Sequence, residues 1–301
     1  MTIPESPDKT IAKLLQWAST RNPVRAVLLT STRAIPDARV DALSDYDVIL
    51  VVDDIHPFMN DRTWLNDFGE VLVAYWDPIH PYPVTGIEHC ANVTQYRDGL
   101  KIDFTLWPAN LLQQIAAART LPAELDAGYR LLLDKDHLAN TMPSPTGKAY
   151  VPAPPSQESY QLLINDFLSD APYVAKCLWR ADLLPAKWCL DCDMKHTYLR
   201  QMLEWRAEID YHWSVPVGNL GKGLKKLLPP EIWIALENTY VGADIADNWA
   251  ALFRTMELFH RVSWEVGRHL GYQYPQQLHD SVHAHLERIR DMSPSPHSRE
   301  G

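Results

Sequence analysis

The sequence predicts an α+β chain, with a mixed sheet flanked by helices in its first half and an all-helical second half. Three observations carry this. Five short β-branched or aliphatic runs recur between turn residues before residue 141, a proline-rich stretch follows, and beyond it the apolar residues take up helical spacing.

In order, residues 9–20 show helical spacing at Ile11, Leu14, Leu15 and Ala18. The runs at 24–32 (VRAVLLTST), 47–52 (DVILVV), 70–76 (EVLVAYW), 101–107 (KIDFTLW) and 129–134 (YRLLLD) read as strands. Residues 1–141 are thus expected to form one domain. Residues 142–156 (MPSPTGKAYVPAPPS) contain five prolines in fifteen positions, which sustain neither a helix nor a central strand, so this stretch reads as a linker. Beyond it Tyr160, Leu163, Ile164, Phe167 and Leu168 fall at i, i+3, i+4, i+7 and i+8. Stretches around 186–211, 231–240, 245–270 and 276–291 look equally helical, giving a helical domain over 157–292 and a disordered tail over 293–301.

Thirty-eight acidic against twenty-eight basic residues give a formal charge of −10, which argues against a general nucleic-acid binder and for a cationic or metal-bridged partner. The four cysteines are too few and too scattered for a disulfide scaffold in 301 residues. The N-terminal stretch carries acid and proline where a signal peptide is basic and then apolar, and no run approaches a membrane span. The expectation is a soluble cytoplasmic monomer with no membrane partner.

The run at 47–52 is preceded by Asp45-Tyr46-Asp47. In a strand, residues two apart share a face, so both carboxylates project together from α-carbons ~6.5–7 Å apart. They repel unless neutralised, and hard oxygen donors suit Mg²⁺. Asp103 lies inside another apolar run, where an unpaired charge is costly, and a neighbouring strand would bring it to the same face. Singly, each is a strand-end cap or a neutralised buried acid; three acids on two such runs favour a metal site.

The first run ends in Thr30-Ser31-Thr32-Arg33. Hydroxyls and free N–H groups at such a turn suit phosphate, with Arg33 as a charged donor, although Ser and Thr are also common helix caps. A strand, a hydroxyl-bearing turn with arginine, acid-x-acid on the next strand and one acid on a later strand resemble the nucleotidyltransferase core of polymerase β-like enzymes. The ordered blocks RAVLLTSTR, DYDVILVV, KIDFTLWP, LLLDKD, PYVAKCLWR, ENTYVGAD and LGYQYP resemble the aminoglycoside 6-adenylyltransferases, which adenylylate streptomycin, over about residues 10 to 275.

The resemblance implies a polymerase β-like nucleotidyltransferase domain followed by an all-helical domain, and transfer of AMP from ATP to a hydroxyl of a cationic aminoglycoside with release of pyrophosphate. Asp45 and Asp47 would hold Mg²⁺ on the triphosphate. Asp103 would complete the metal site or act as general base. Ser31, Thr32 and Arg33 would hold the nucleotide, although the family usually carries glycine where this chain has Ser31. Lys222 matches a lysine of the family pattern and, with Tyr240 and Lys176, is a candidate for the nucleotide side; Lys225 and Lys226 read as a solvated face.

Asp191 and Asp193, among the aromatics of 187–213, are the candidates for binding a cationic acceptor. Cys189 and Cys192 form a C-x-x-C spacing without two further ligands, so a metal reading is set aside, and His80 reads as a loop residue. Two other functions compete: transfer to another antibiotic, a metabolite or a protein side chain, and a non-catalytic nucleotide sensor.

Overall fold

The computed structural model describes residues 8–35, 38 and 40–292, so the tail expected to be disordered lies outside the described residues. The chain divides into two compact units, Met1–Ala149 and Tyr150–Gly301, and the division falls inside the proline-rich stretch.

The first unit contains α1 (Lys9–Thr20), β1 (Val24–Thr30), β2 (Tyr46–Val52), α2 (His56–Asn60), β3 (Val71–Trp76), β4 (His80–Pro81), β5 (Glu88–Tyr96), β6 (Lys101–Pro108), α3 (Ala109–Ala117), α4 (Ala123–Asp126) and β7 (Tyr129–Asp134). Its sheet runs β3-β5-β6-β2-β1-β7, with β4 attached to β5. β2 and β6 pair in parallel, and the other pairs are antiparallel.

β2 is apolar along most of its length because both its faces are covered. Val48, Leu50 and Val52 pack with Leu14 and Trp17 of α1. Ile49 and Val51 pack with Leu111, Leu112 and Ile115 of α3 on the opposite side. That second face turns from apolar to acidic at the start of β2 and β6, and there the site lies. β1 stops at Thr30, two residues short of the expected strand, because Ser31–Arg33 wind into a single 3-10 turn. β5 was not expected at all: Glu88–Tyr96 mixes His89, Asn92, Thr94 and Gln95 into its length, and it pairs with β3, β4 and β6.

The second unit is all helical: α5 (Gln157–Trp179), α6 (Leu183–Lys187), a π-helix (Trp188–Leu199), α7 (Arg200–Asp210), α8 (Leu224–Leu227), α9 (Pro230–Glu237), α10 (Ile245–Leu270) and α11 (Gln276–Asp291), with a short 3-10 turn at Asn219–Gly221. The stripe Tyr160, Ile164 and Phe167 of α5 is buried in one core with Trp205, Met256 and Phe259. Phe167 stacks on Phe259 with ring centroids 3.6 Å apart.

Candidate active site

Parallel pairing of β2 with β6 sets Asp47 directly opposite Asp103. Strands lie about 4.8 Å apart, so the two carboxylates leave the same face at one level. Asp45, one residue before β2, joins them through Lys101. The Lys101 ammonium is 3.0 Å from Asp103 Oδ2 and bonds the Asp45 carboxylate as well. A cation therefore already sits between two of the three acids.

Among the described residues Asp47 has no such partner. Burial, then the charges of Asp103 and Asp45, push its pKa up to about 6 against the opposing pull of the Ser31 hydroxyl and Lys101. Asp103 is also raised, by burial first, with Lys101 restraining the shift. Its Oδ1 is buried without a hydrogen-bond partner. Such an orphaned oxygen is costly in a finished core. Three neighbouring carboxylates, one under-neutralised and one with an unsatisfied oxygen, have the donor chemistry that a hard divalent cation takes.

Ser31 lies beside them with φ at +55°. An L-residue pays about 1 kcal/mol for the left-handed region that glycine enters freely. The turn has thus kept the backbone shape that glycine would favour and carries a side chain in its place. Ser31→Gly is expected to raise the thermal midpoint by a few degrees, reflecting about 1 kcal/mol of relieved strain, and, should the turn hold phosphate as the sequence resemblance implies, to speed turnover by removing a Cβ from it. A midpoint scan and initial rates check this; a slower variant would show that the hydroxyl near Asp47 matters more than the freed space.

Arg33 is directed elsewhere than expected. Its Nε donates to the Asp45 carbonyl oxygen at 3.0 Å and its Nη2 to the Ser44 carbonyl oxygen at 2.9 Å. The guanidinium also stacks 3.8 Å from the Tyr46 ring centroid. Asp8, which caps α1 by accepting from Thr10 and Ile11, accepts from the Tyr46 hydroxyl at 2.9 Å. Arg33 therefore clamps the segment that delivers Asp45. Thr32, next to it, is half-buried in the same turn.

The acids open onto a recess of about 330 Å³ on the same sheet face, which Ser31, Asp47 and Asp103 share with Asp77, His89 and Glu124. Sequence reasoning missed Lys101 and these last three. For Lys101 the signal was present, since the alternation that puts Asp103 on this face puts its neighbour two residues earlier there too. Nothing local marks Asp77, His89 or Glu124, and His80, read as a loop residue, lies in β4 and lines the recess with them.

In the helical unit, Asp191 is ion-paired to Lys187 at 2.7 Å and to Lys195 at 2.8 Å. Burial raises its pKa, but the two lysines outweigh that and hold it below the ordinary value. Lys195, fully buried, also donates to the Thr239 carbonyl oxygen at 2.6 Å and lies 4.6 Å from the Tyr240 ring centroid. Asp191 and Tyr240 thus meet at one lysine that sequence reasoning did not single out. Asp193 stands apart, with Asp170 and Cys189. Lys176 is exposed beside the Tyr173 ring, and Lys222 is exposed in the loop before α8.

Among the described residues no helix is long and apolar enough to cross a membrane. The family model for streptomycin adenylyltransferase matches residues 5–289. An aminoglycoside 6-adenylyltransferase of Campylobacter jejuni is 30% identical over 265 residues, covering 87% of this chain and 88% of that one. One from Bacillus subtilis is 28% identical, covering 87% and 90%. The crystal structure of an aminoglycoside 6-adenyltransferase from Bacillus subtilis aligns over 96% of this chain and 100% of that one, at 22% identity and a TM-score of 0.44. With the model spanning nearly the whole chain and full-length relatives on both counts, the chain belongs to the streptomycin adenylyltransferase family and is a nucleotidyltransferase.

Proposed function

We propose that the protein transfers AMP from ATP to a hydroxyl of an aminoglycoside, with streptomycin as the acceptor, Mg²⁺ as the ion and pyrophosphate as the leaving group, and so inactivates the antibiotic. The observation that carries this reading is the in-register pair Asp47 and Asp103 on adjacent parallel strands, joined to Asp45 by the Lys101 ammonium.

Asp45, Asp47 and Asp103 are the residues that would hold the ion. When bound there, Mg²⁺ neutralises the triphosphate and polarises the phosphorus under attack. The turn at Ser31 and Thr32 orients the phosphates through backbone N–H groups and hydroxyls. Arg33 keeps Asp45 in place by holding two carbonyl oxygens of its segment. Asp103, whose carboxylate would complete the ion's set, takes the proton of the acceptor hydroxyl. The hydroxyl oxygen then attacks the α-phosphorus in line, and no enzyme-bound intermediate is needed.

Incubation with ATP, Mg²⁺ and a panel of aminoglycosides tests the reading, following pyrophosphate release and the mass of each acceptor. Streptomycin is expected to gain one AMP. A panel in which streptomycin gains none would overturn the choice of acceptor, and a panel in which no member gains AMP would overturn the aminoglycoside reading.

A further inference from the structure

Below the acids the same sheet face carries a second chemistry. From Asp103, β6 continues through Thr105 to Trp107, roughly 13 Å of strand, and the recess follows it. The N–H of Asp77 donates to the Ala91 carbonyl oxygen at 2.9 Å, and Ala91 pairs with Thr105, so Asp77 stands level with Thr105. Glu124 accepts the Tyr82 hydroxyl. His89 Nδ1 lies 3.0 Å from the His80 carbonyl oxygen, which makes Nδ1 the protonated nitrogen and leaves Nε2 an acceptor. Burial and His80 hold the His89 pKa low, so the ring stays neutral and does not offset the neighbouring carboxylates.

Four carboxylates line this recess, those of Asp47, Asp77, Asp103 and Glu124, and among the described residues no lysine or arginine does. A triphosphate would be repelled everywhere except at the upper end, where a cation sits among the acids. The lower end suits a positive ligand. Trp107 supplies an independent sign of one: it is 1% exposed, lines the recess, and its indole Nε1–H has no hydrogen-bond partner. A buried donor without an acceptor is costly, and a ligand oxygen would satisfy it.

We propose that this recess binds the acceptor, with a guanidinium or ammonium group against Asp77 and Glu124, an apolar ring face against Tyr82 and His89, and a hydroxyl or ether oxygen on the Trp107 indole N–H. The assignment rests on the adenylyl-transfer reading and adds the residues that recognise the acceptor's charge. It also moves that role away from Asp191, whose charge is already met by Lys187 and Lys195. Aromatic walls beside carboxylates suit a flat delocalised cation, which stacks and hydrogen-bonds at once.

The test uses Asp77→Asn, Glu124→Gln and Trp107→Phe in the full chain. Glutamine still accepts the Tyr82 hydroxyl, and phenylalanine keeps the ring packing, so the fold is held. The expected result is an acceptor KM raised about tenfold or more in both carboxylate variants, with the KM for ATP unmoved. Calorimetric titration of streptomycin without nucleotide should weaken in parallel, and Trp107→Phe should weaken it less. If the wild type adenylylates streptomycin and both carboxylate variants keep its KM, the recess is not the acceptor site although the transfer reading stands. If the wild type adenylylates no aminoglycoside, the transfer reading falls and calorimetry alone judges the recess. Streptomycin binding that the Asp77→Asn, Glu124→Gln double variant loses would uphold it; equal binding, or none by the wild type, would overturn it.

Discussion

Asp47→Asn is expected to abolish adenylyl transfer and, in the absence of metal, to make the protein more stable at pH 8. The carboxylate sits half-buried between two other acids, and its pKa is raised from 3.8 to about 6. A group raised in this direction contributes stability that is fully present below about pH 3.8 and lost as pH rises through about 6. At pH 8 the wild type therefore carries the whole cost of an ionised Asp47, and asparagine removes the charge while keeping the shape. With neighbouring acids sharing the strain, the gain should be about 1–3 kcal/mol. Thermal melts at pH 8 and pH 4 measure it: the variant's advantage should be large at the first and vanish at the second.

Activity should move the opposite way, falling at least about a thousandfold, because the proposed site loses a carboxylate holding the ion that would stabilise transition-state charge by several kcal/mol. Wild-type rates in Asp47→Asn would sink the metal assignment. In the unmodified protein, Mg²⁺ affinity measured by calorimetry should rise as pH increases through about 6, since the ion binds the deprotonated carboxylate. A flat profile would mean that Asp47 is not a ligand.

Lys101→Met is expected to weaken the metal-free protein and tighten its grip on Mg²⁺. The ammonium relieves the repulsion between Asp45 and Asp103 at the position a divalent ion would occupy, so it competes with the ion as well as standing in for it. The lysine is 31% exposed, and solvent tempers the pair. Its loss should cost about 1–3 kcal/mol at pH 8, less than a fully buried pair would. Added Mg²⁺ should restore the melting temperature by more than it raises that of the wild type, because the ion binds the folded state alone and no longer displaces a counter-charge. Equal Mg²⁺ stabilisation in the two proteins would show that lysine and ion occupy separate places.

Much of this architecture was legible before any coordinates. The strand of Asp47 and that of Asp103 announced themselves by apolar runs, since both faces of each are covered; the helical half announced itself by spacing. Acids at the mouth of such strands are conspicuous because burial makes charge expensive there. β5 was invisible for the converse reason. Its polar residues break the apolar pattern, and some are satisfied only by another strand, as when the Asn92 amide donates to the Tyr75 carbonyl oxygen at 2.9 Å. Lys195 was missed because nothing local distinguishes a buried lysine from a solvated one; only Asp191 and the Thr239 carbonyl oxygen, brought in by the fold, make its burial tolerable.

The sequence by itself determined the class of fold and marked the three acids with the turn that precedes them, through residue type and periodicities of a few residues, while its ordered blocks carried the resemblance to the family. The tertiary structure decided what lies between and below them. Parallel pairing set Asp47 opposite Asp103, a lysine two residues away reached across to Asp45, and Asp77, His89 and Glu124 were gathered into one recess from three separate segments. Register between distant strands is fixed by the packing of whole sheet faces, and no stretch of sequence carries it locally.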